Sequence, residues 1–336
     1  MMQQPIISII VPCYNSEPYL DRFFKSILNQ TFKDFELIIV NDASTDQTGK
    51  ICENIAAQYE FVKVFHNERN GGLSVARNVG LNHVAGSYIS FIDPDDAIDA
   101  AFLEKMYDFS EENKCDIVVC EMSKIYKNKP IGNIIFEYQT KVPDKKIVMQ
   151  DLFDEKIGSH ACNRLFKKTL METKRFTPGR VYGEDIAIMH EIFDEANRIG
   201  FIAEPLYLYY MNETSLSKLY RQFKWMSLYL AFKERLEFAE KKYPSEILGK
   251  LTCDTVNMAR LTLDNYLIRR DSCDEPYLPE VIDRIKKQKG KTGKLLHMKW
   301  RNRMMLRYYN FSPFLYARSI KIIHKIFYKF NPPIFS

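Results

Sequence analysis

Three carboxylates within four positions, Asp93, Asp95 and Asp96, follow the apolar run Tyr88 to Ile92. Packed so closely they repel one another unless something positive sits among them, and a divalent cation is the simplest partner. Hard ions such as Mg2+ or Mn2+ take carboxylate oxygens and complete their shells with water and phosphate oxygens, so the cluster suits a diphosphate ligand. Asp and Pro are also turn and helix-capping residues, and Asp93-Pro94-Asp95-Asp96 is open to that reading too. Asn70-Gly71-Gly72 leads into a helical pattern holding Ser74, Arg77 and Asn78. Glycines let backbone approach a ligand closely, the amides of a helix start favour anions, and Arg77 lies one turn in, within reach of a phosphate. The spacing matches neither the dinucleotide fingerprint nor the P-loop. Tyr14 offers a flat face for a base, and Asp42 a carboxylate for a base or ribose; either is equally at home as a core aromatic or a turn residue. Farther along, Asp185 follows Gly183-Glu184 and precedes Ile186, Ile188 and Met189 at helical spacing. A carboxylate there suits the cap of a helix start.

The elements that must position these residues are legible as alternation. Short β-branched runs at Ile6 to Val11, Leu37 to Val40, Val62 to Phe65, Tyr88 to Ile92 and Ile117 to Val119 predict strands. Between them, Pro18 to Asn29, Asp46 to Tyr59, Gly72 to Val84 and Ala101 to Asn113 predict helices. Strands separated by helices argue for an α/β fold, a mostly parallel sheet covered on both faces, and such sheets bind ligands beyond the carboxyl ends of their strands. Pro12-Cys13-Tyr14-Asn15, Asn41-Asp42 and Asp93 each come directly after a strand, so they describe one crevice. Lys124 to Val148 weakens into a connection with room for a small hairpin, 150–217 regains order, and 220–270 predicts helices. There, Trp225, Leu228, Phe232, Leu236 and Ala239 recur at helical spacing as a packing stripe.

Four of these segments together resemble the signature series of family 2 glycosyltransferases: Val11-Pro12-Cys13-Tyr14-Asn15 with Glu17, Asn41-Asp42 through Asp46, Gly72-Leu73-Ser74 with Ala76-Arg77-Asn78-Val79-Gly80, and Asp93-Pro94-Asp95-Asp96. The resemblance spans about residues 5–217 in order and spacing. It implies a GT-A fold, Rossmann-like, with a helical C-terminal extension, a nucleoside diphosphate sugar donor, usually of uridine, and a displacement that inverts the anomeric carbon. It also implies a donor set of Pro12, Tyr14, Glu17, Asp42, Arg77 and Asp93, with Tyr14 stacked on the base, Asp42 hydrogen-bonded to it, Arg77 near the phosphates and Asp93 near the ribose. Asp95 would ligate Mg2+ or Mn2+, and Asp185 would be the general base. Two positions depart from the pattern. Tyr210 stands where the family often has Arg, which removes one expected phosphate contact, and Asn41 replaces a frequent Asp. The expected domains are 1–217, with a nucleotide-sugar half to about 120 and an acceptor half from 121, a helical region 218–283, and a basic tail 284–336.

Of the 336 residues 46% are hydrophobic and 13% aromatic, enough for a full core. The net charge of +5 hides a split: all 43 acidic residues lie at or before Asp283, against 34 of the 48 basic ones, which leaves −9 for residues 1–283 and +14 beyond. Such asymmetry suits an anionic surface, lipid headgroups or nucleic acid, or else a solvated helical face. In the tail, Tyr316, Ile320, Ile323, Phe327 and Phe330 recur at steps of four and three, opposite Arg318, Lys321, Lys325 and Lys329. That is the pattern of a helix lying on an anionic membrane, or of one docked on the protein itself. Seven cysteines without paired short spacing read as reduced, buried thiols. With no cationic leader and no membrane-spanning run, the chain is expected to be cytoplasmic and peripheral at the inner face of the cell membrane. Its acceptor is expected to be a glycan or lipid-linked hydroxyl in surface polysaccharide synthesis, and nucleic acid is not an expected partner. The alternatives are a metal-dependent nucleotidyl- or phosphotransferase, which has no need of a remote base, and a non-catalytic nucleotide- or nucleic-acid-binding module using the basic tail.

Overall fold

A computed structural model describes residues 4–138, 140–211, 224–269, 272–287 and 297–330; the side chains at 224, 269, 272–274, 321 and 323–330 are outside the description. The chain divides into two compact units, Met1–Arg180 with Ile188–Glu213, and Val181–Ala187 with Thr214–Ser336.

The first unit is built on one nine-stranded sheet in the order β3-β2-β1-β4-β8-β6-β9-β5, with β7 paired to β6. Its site-bearing half consists of β1 (Ile7–Cys13), β2 (Phe35–Asn41), β3 (Val62–His66) and β4 (Tyr88–Phe91). Their pairings with one another are all parallel, with Ile7 opposite both Phe35 and Tyr88. Both faces of β1, β2 and β4 are buried, which is why their sequences are dominated by apolar runs. Ile7, Ile9, Val11, Leu37 and Ile39 pack under α1 (Leu20–Leu28), α2 (Thr48–Ala56) and α4 (Phe102–Asn113) through Phe23, Ile27, Cys52, Phe102 and Met106. On the opposite face Ile38 and Val40 meet Ala76 of α3 (Leu73–Leu81). Gly80 lets that helix lie flat on β1, since a Cβ there would come 2.4 Å from Ile10 Cγ2.

The other half is mixed. β6 (Ile117–Tyr126) runs parallel to β9 (Ile199–Tyr210), forms a hairpin with β7 (Lys129–Ile134) in the predicted connecting region, and pairs antiparallel with β8 (Arg164–Lys167). β8 reaches β4, and the two-residue β5 (Ala97–Ile98) joins β9, both antiparallel. α5 (Lys145–Phe153) and α6 (Glu184–Glu195) complete the series, α6 beginning in the second unit and continuing in the first.

The second unit is helical: α7 (Lys224–Lys242), α8 (Gly249–Arg269), α9 (Leu278–Lys286), α10 (Trp300–Phe311) and α11 (Pro313–Phe330). Leu228, Phe232, Leu236 and Ala239 of the predicted stripe are buried. In the tail helix Tyr316 and Ile320 pack with Leu306 and Tyr309, and the Tyr316 hydroxyl donates to Asp264 Oδ1 at 2.7 Å. Those two positions therefore face the protein's own core; Ile323, Phe327 and Phe330 lie outside the described side chains. Among the described residues no helix is long and apolar enough to cross a membrane, and six cysteines are free and buried.

Candidate active site

Because β2, β1 and β4 are parallel neighbours, the loops after their carboxyl ends lie side by side. The first two are zipped together. The Asp42 amide donates to the Cys13 carbonyl at 2.8 Å, the Asn15 amide to Ser44 Oγ at 3.0 Å, and the Thr45 amide back to Asn15 Oδ1 at 2.8 Å. Glu17 takes the Gln47 amide at 2.9 Å, so its carboxylate is occupied in closing this pair of loops. Pro12 is buried in β1 opposite Val40. Tyr14, just past the strand, is 37% exposed, and a ring so placed can take a planar ligand on one face.

Asp42 is 2% exposed, and both of its oxygens are engaged. Asn67 Nδ2 donates to Oδ1 at 2.6 Å, the Gly71 amide to Oδ1 and Oδ2 at 3.0 and 3.1 Å, and the Gly72 amide to Oδ2 at 2.7 Å. The residue singled out for a base contact is thus also the anchor of the glycine turn. Gly72 has φ +80°, a conformation that strains any residue with a Cβ, and it starts α3. Ser74 in the first turn of α3 is buried, its hydroxyl without a hydrogen-bond partner among the described residues.

From α3, Arg77 is 1% exposed and reaches Asp93 Oδ1 at 3.2 Å, its guanidinium between the rings of Phe91 and Phe176 at 5.8 and 5.2 Å. A charge buried that deeply is retained only with a partner, and Asp93, half-buried, provides it. The three carboxylates after β4 therefore separate by environment. Asp93 turns to Arg77. Asp96 turns inward, wholly buried, accepting from the Tyr207 hydroxyl at 2.7 Å and the Tyr210 amide at 2.8 Å. Burial, with Asp95 and Asp93 alongside, holds the Asp96 carboxyl well above the usual range. Asp95 lies between them, half-buried, on a loop whose carbonyl accepts from Arg22 of α1. No cluster of three His, Cys, Asp or Glu side chains is assembled among the described residues. One or two carboxylates completed by substrate phosphates is the ordinary set for Mg2+, so Asp95 with Asp93 nearby fits an ion that arrives with a diphosphate.

Arg22 escapes sequence reasoning. Its guanidinium stacks 3.6 Å from the centroid of Tyr210, and its Nε is buried without a hydrogen-bond partner among the described residues. A cation thus stands against the very residue that replaces the family's arginine, supplied by α1. In sequence it is one polar residue on an amphipathic helix, 73 positions from Asp95, and nothing local distinguishes it.

Asp185 lies in the first turn of α6, half-buried, after Gly183 at φ +77°. It belongs to the Val181–Ala187 segment of the second unit. That segment is held by α7: Ser227 Oγ donates to the Tyr182 carbonyl at 2.6 Å, and the fully buried Arg235 donates through Nε and Nη2 to the Ile186 carbonyl at 3.2 and 2.9 Å. The remaining residues of the predicted set, Pro12 through Asp95, all belong to the first unit. Residues 212–217 of the stretch beginning at Tyr207 lie outside the described residues.

The profile of glycosyl transferase family 2 matches residues 8–173. Glycosyltransferase GlyA of Streptococcus pneumoniae serotype 4 is 33% identical over 258 residues, 73% of this chain and 36% of that protein. The minor teichoic acid biosynthesis protein GgaB of Bacillus subtilis is 32% identical over 214 residues, 63% of this chain and 24% of that protein. The chain thus spans well under two thirds of the length of either relative. Among solved structures, S. aureus TarS 1-349 in complex with UDP-GlcNAc superposes with a TM-score of 0.71, covering 95% of this chain and 91% of that one at 20% identity, which is a likeness of fold. With the strand-end loops, the Arg77–Asp93 pair and the GT-A sheet in place, the chain belongs, through residues 8–173, to glycosyl transferase family 2.

Proposed function

We propose that the protein moves a sugar from a nucleoside diphosphate sugar, a UDP-sugar, to a hydroxyl of a glycan or lipid-linked acceptor in cell-surface polysaccharide synthesis, inverting the anomeric carbon. The observation that carries this reading is the buried Arg77 paired to Asp93 beside Asp95, at the end of a parallel strand. Departure of a diphosphate leaves negative charge, and a fixed guanidinium next to a carboxylate able to hold Mg2+ or Mn2+ answers it. That ion supplies charge neutralisation at the phosphates, with Asp95 and Asp93 as its protein ligands. Tyr14 receives the base from the exposed loop after β1. Asp42 acts through the glycine turn and accepts from the base only by sharing its oxygens. Asp185 takes the acceptor proton, the task that requires a carboxylate remote from the leaving group. Support for a uridine donor comes from TarS, described in complex with UDP-GlcNAc, and for a surface polymer from GgaB, named for teichoic acid biosynthesis. The lipid-linked acceptor puts the enzyme at the inner face of the cell membrane.

The test is release of nucleoside diphosphate from a panel of UDP-, GDP-, CDP- and dTDP-sugars with Mn2+ or Mg2+, run with donor-binding calorimetry. Metal-stimulated release or binding with a UDP-sugar is the expected result. Neither turnover nor binding with any donor would remove the transferase reading.

A further inference from the structure

The tail helix turns Tyr316 and Ile320 of its stripe inward, yet α10 and α11 carry a second apolar face that remains outside. On α10, Leu306 and Tyr309 are buried and Met305 and Tyr308 half-buried, all turned to the core of the second unit. Trp300, Met304 and Phe311 recur at steps of four and seven on the opposite side, and are 68%, 56% and 82% exposed. On α11, Tyr316 and Ile320 point inward while Phe314, Leu315 and Ile322 are exposed, Phe314 by 75%. Ser312, in extended backbone, joins the two helices. Tyr316 packs on Tyr308 and Tyr309 with centroids 5.7 and 5.4 Å apart, and the Tyr308 and Ser319 hydroxyls bond at 2.7 Å, which fixes the pair. Exposed arginines sit on these faces: Arg301 and Arg307 on α10, Arg318 on α11.

We infer that this outer face of α10 and α11 seats the protein on an anionic phospholipid surface, with Trp300, Phe311 and Phe314 entering the acyl boundary and Arg301, Arg307 and Arg318 meeting the headgroups. Six large apolar side chains left in water on adjoining faces are costly unless something covers them. The charge says what does, since no acidic residue follows Asp283 and the tail carries +14. A second copy would bring the same positive surface against itself, and a nucleic acid backbone has no use for exposed phenylalanines. Anionic lipid satisfies both features at once. The inference deepens the proposed function by naming how the enzyme reaches a lipid-linked acceptor, and it rests on that reading only for its purpose, not for its measurement.

The experiment is co-sedimentation of the full chain with vesicles of phosphatidylcholine alone and of phosphatidylcholine mixed with phosphatidylglycerol, at low and high salt. The variants are Phe311→Ser with Phe314→Ser, and Arg301→Gln with Arg307→Gln and Arg318→Gln; all five side chains are exposed, and circular dichroism checks that each variant folds. The expected result is binding to the mixed vesicles about tenfold or more tighter than to phosphatidylcholine, weakened by salt, and reduced roughly tenfold by either variant. Asp95→Ala should sediment as the wild type does, so loss of transfer and loss of membrane seating are read separately. Equal binding to both vesicle types would overturn the inference, as would undiminished binding of the phenylalanine variant. A fall in its solution mass from dimer to monomer would also overturn it, by assigning the face to a second copy.

Discussion

Three carboxylates in one short loop end in three environments, and that separation gives the site its sharpest predictions. Arg77 is the positive partner of Asp93 at the crevice. Arg77→Ala leaves Asp93 facing a vacated, largely apolar pocket; urea unfolding should show a loss of about 3 kcal/mol, and kcat/KM for the donor should fall by about 10²-fold or more. Asp42→Asn trades two acceptor oxygens for one, so either the Gly72 amide or Asn67 Nδ2 loses its acceptor. A cost near 2 kcal/mol in stability should accompany a raised donor KM, because the turn that starts α3 loosens. Arg22→Gln keeps a donor for the Asp95 carbonyl but removes the charge stacked on Tyr210; the expected outcome is weaker Mn2+-dependent UDP binding by calorimetry with little change in melting temperature. The sequence puts Asp93 and Asp95 just after a strand and Arg77 one turn into the helix after the glycine turn, and in the structure Arg77 meets Asp93. It could not assign Asp42 its second task or find Arg22, since both depend on partners 25 to 73 positions away.

Among the elements, the parallel half of the sheet was readable because both faces of β1, β2 and β4 are buried and apolar residues dominate them. The strands slotted in antiparallel were not. β8 is four residues long and begins with Arg164, buried beneath the Ile157 and Gly158 carbonyls at 3.3 and 2.9 Å, while β5 has two residues, so neither carries a periodic signal. One buried carboxylate knits the readable half together. Glu36 in β2 accepts from the Ser8 hydroxyl at 2.6 Å, the Ala85 amide at 2.7 Å and Lys63 at 2.7 Å. Burial opposes its charge, but Lys63, Ser8 and the amide outweigh burial and hold the carboxyl below its usual range. A folded-state value below the unfolded one contributes stability above the carboxylate range that is lost as pH falls through it. Thermal unfolding against pH should therefore show an acid-side decline that is shallower in Glu36→Gln, a variant about 2 kcal/mol less stable at neutral pH. Gly80→Ala tests the seat of α3: with Ile10 only 2.4 Å from the added Cβ, the helix must shift, costing about 1–3 kcal/mol and moving Arg77 with it.

Across the whole molecule, the two units divide the proposed work. The proposed donor residues Pro12 through Asp95 belong to the sheet unit, Asp185 to a segment anchored by Ser227 and Arg235 of the helical unit, and the exposed aromatic and basic face to α10 and α11. The charge split was plain in the sequence, and the helical region was read as such. The orientation of the tail helix was not, because α11 has apolar residues on two sides and only the packing of Tyr316 and Ile320 decides which turns inward. Donor binding and acceptor activation are proposed to rest on separate carboxylates. The decisive measurement is Mn2+-dependent UDP binding beside transfer turnover in Asp95→Ala and Asp185→Ala. Asp95→Ala should lose both, whereas Asp185→Ala should bind UDP as the wild type does and turn over about 10²-fold or more slowly. Full turnover by Asp185→Ala, or unchanged Mn2+-dependent UDP binding by Asp95→Ala, would contradict it.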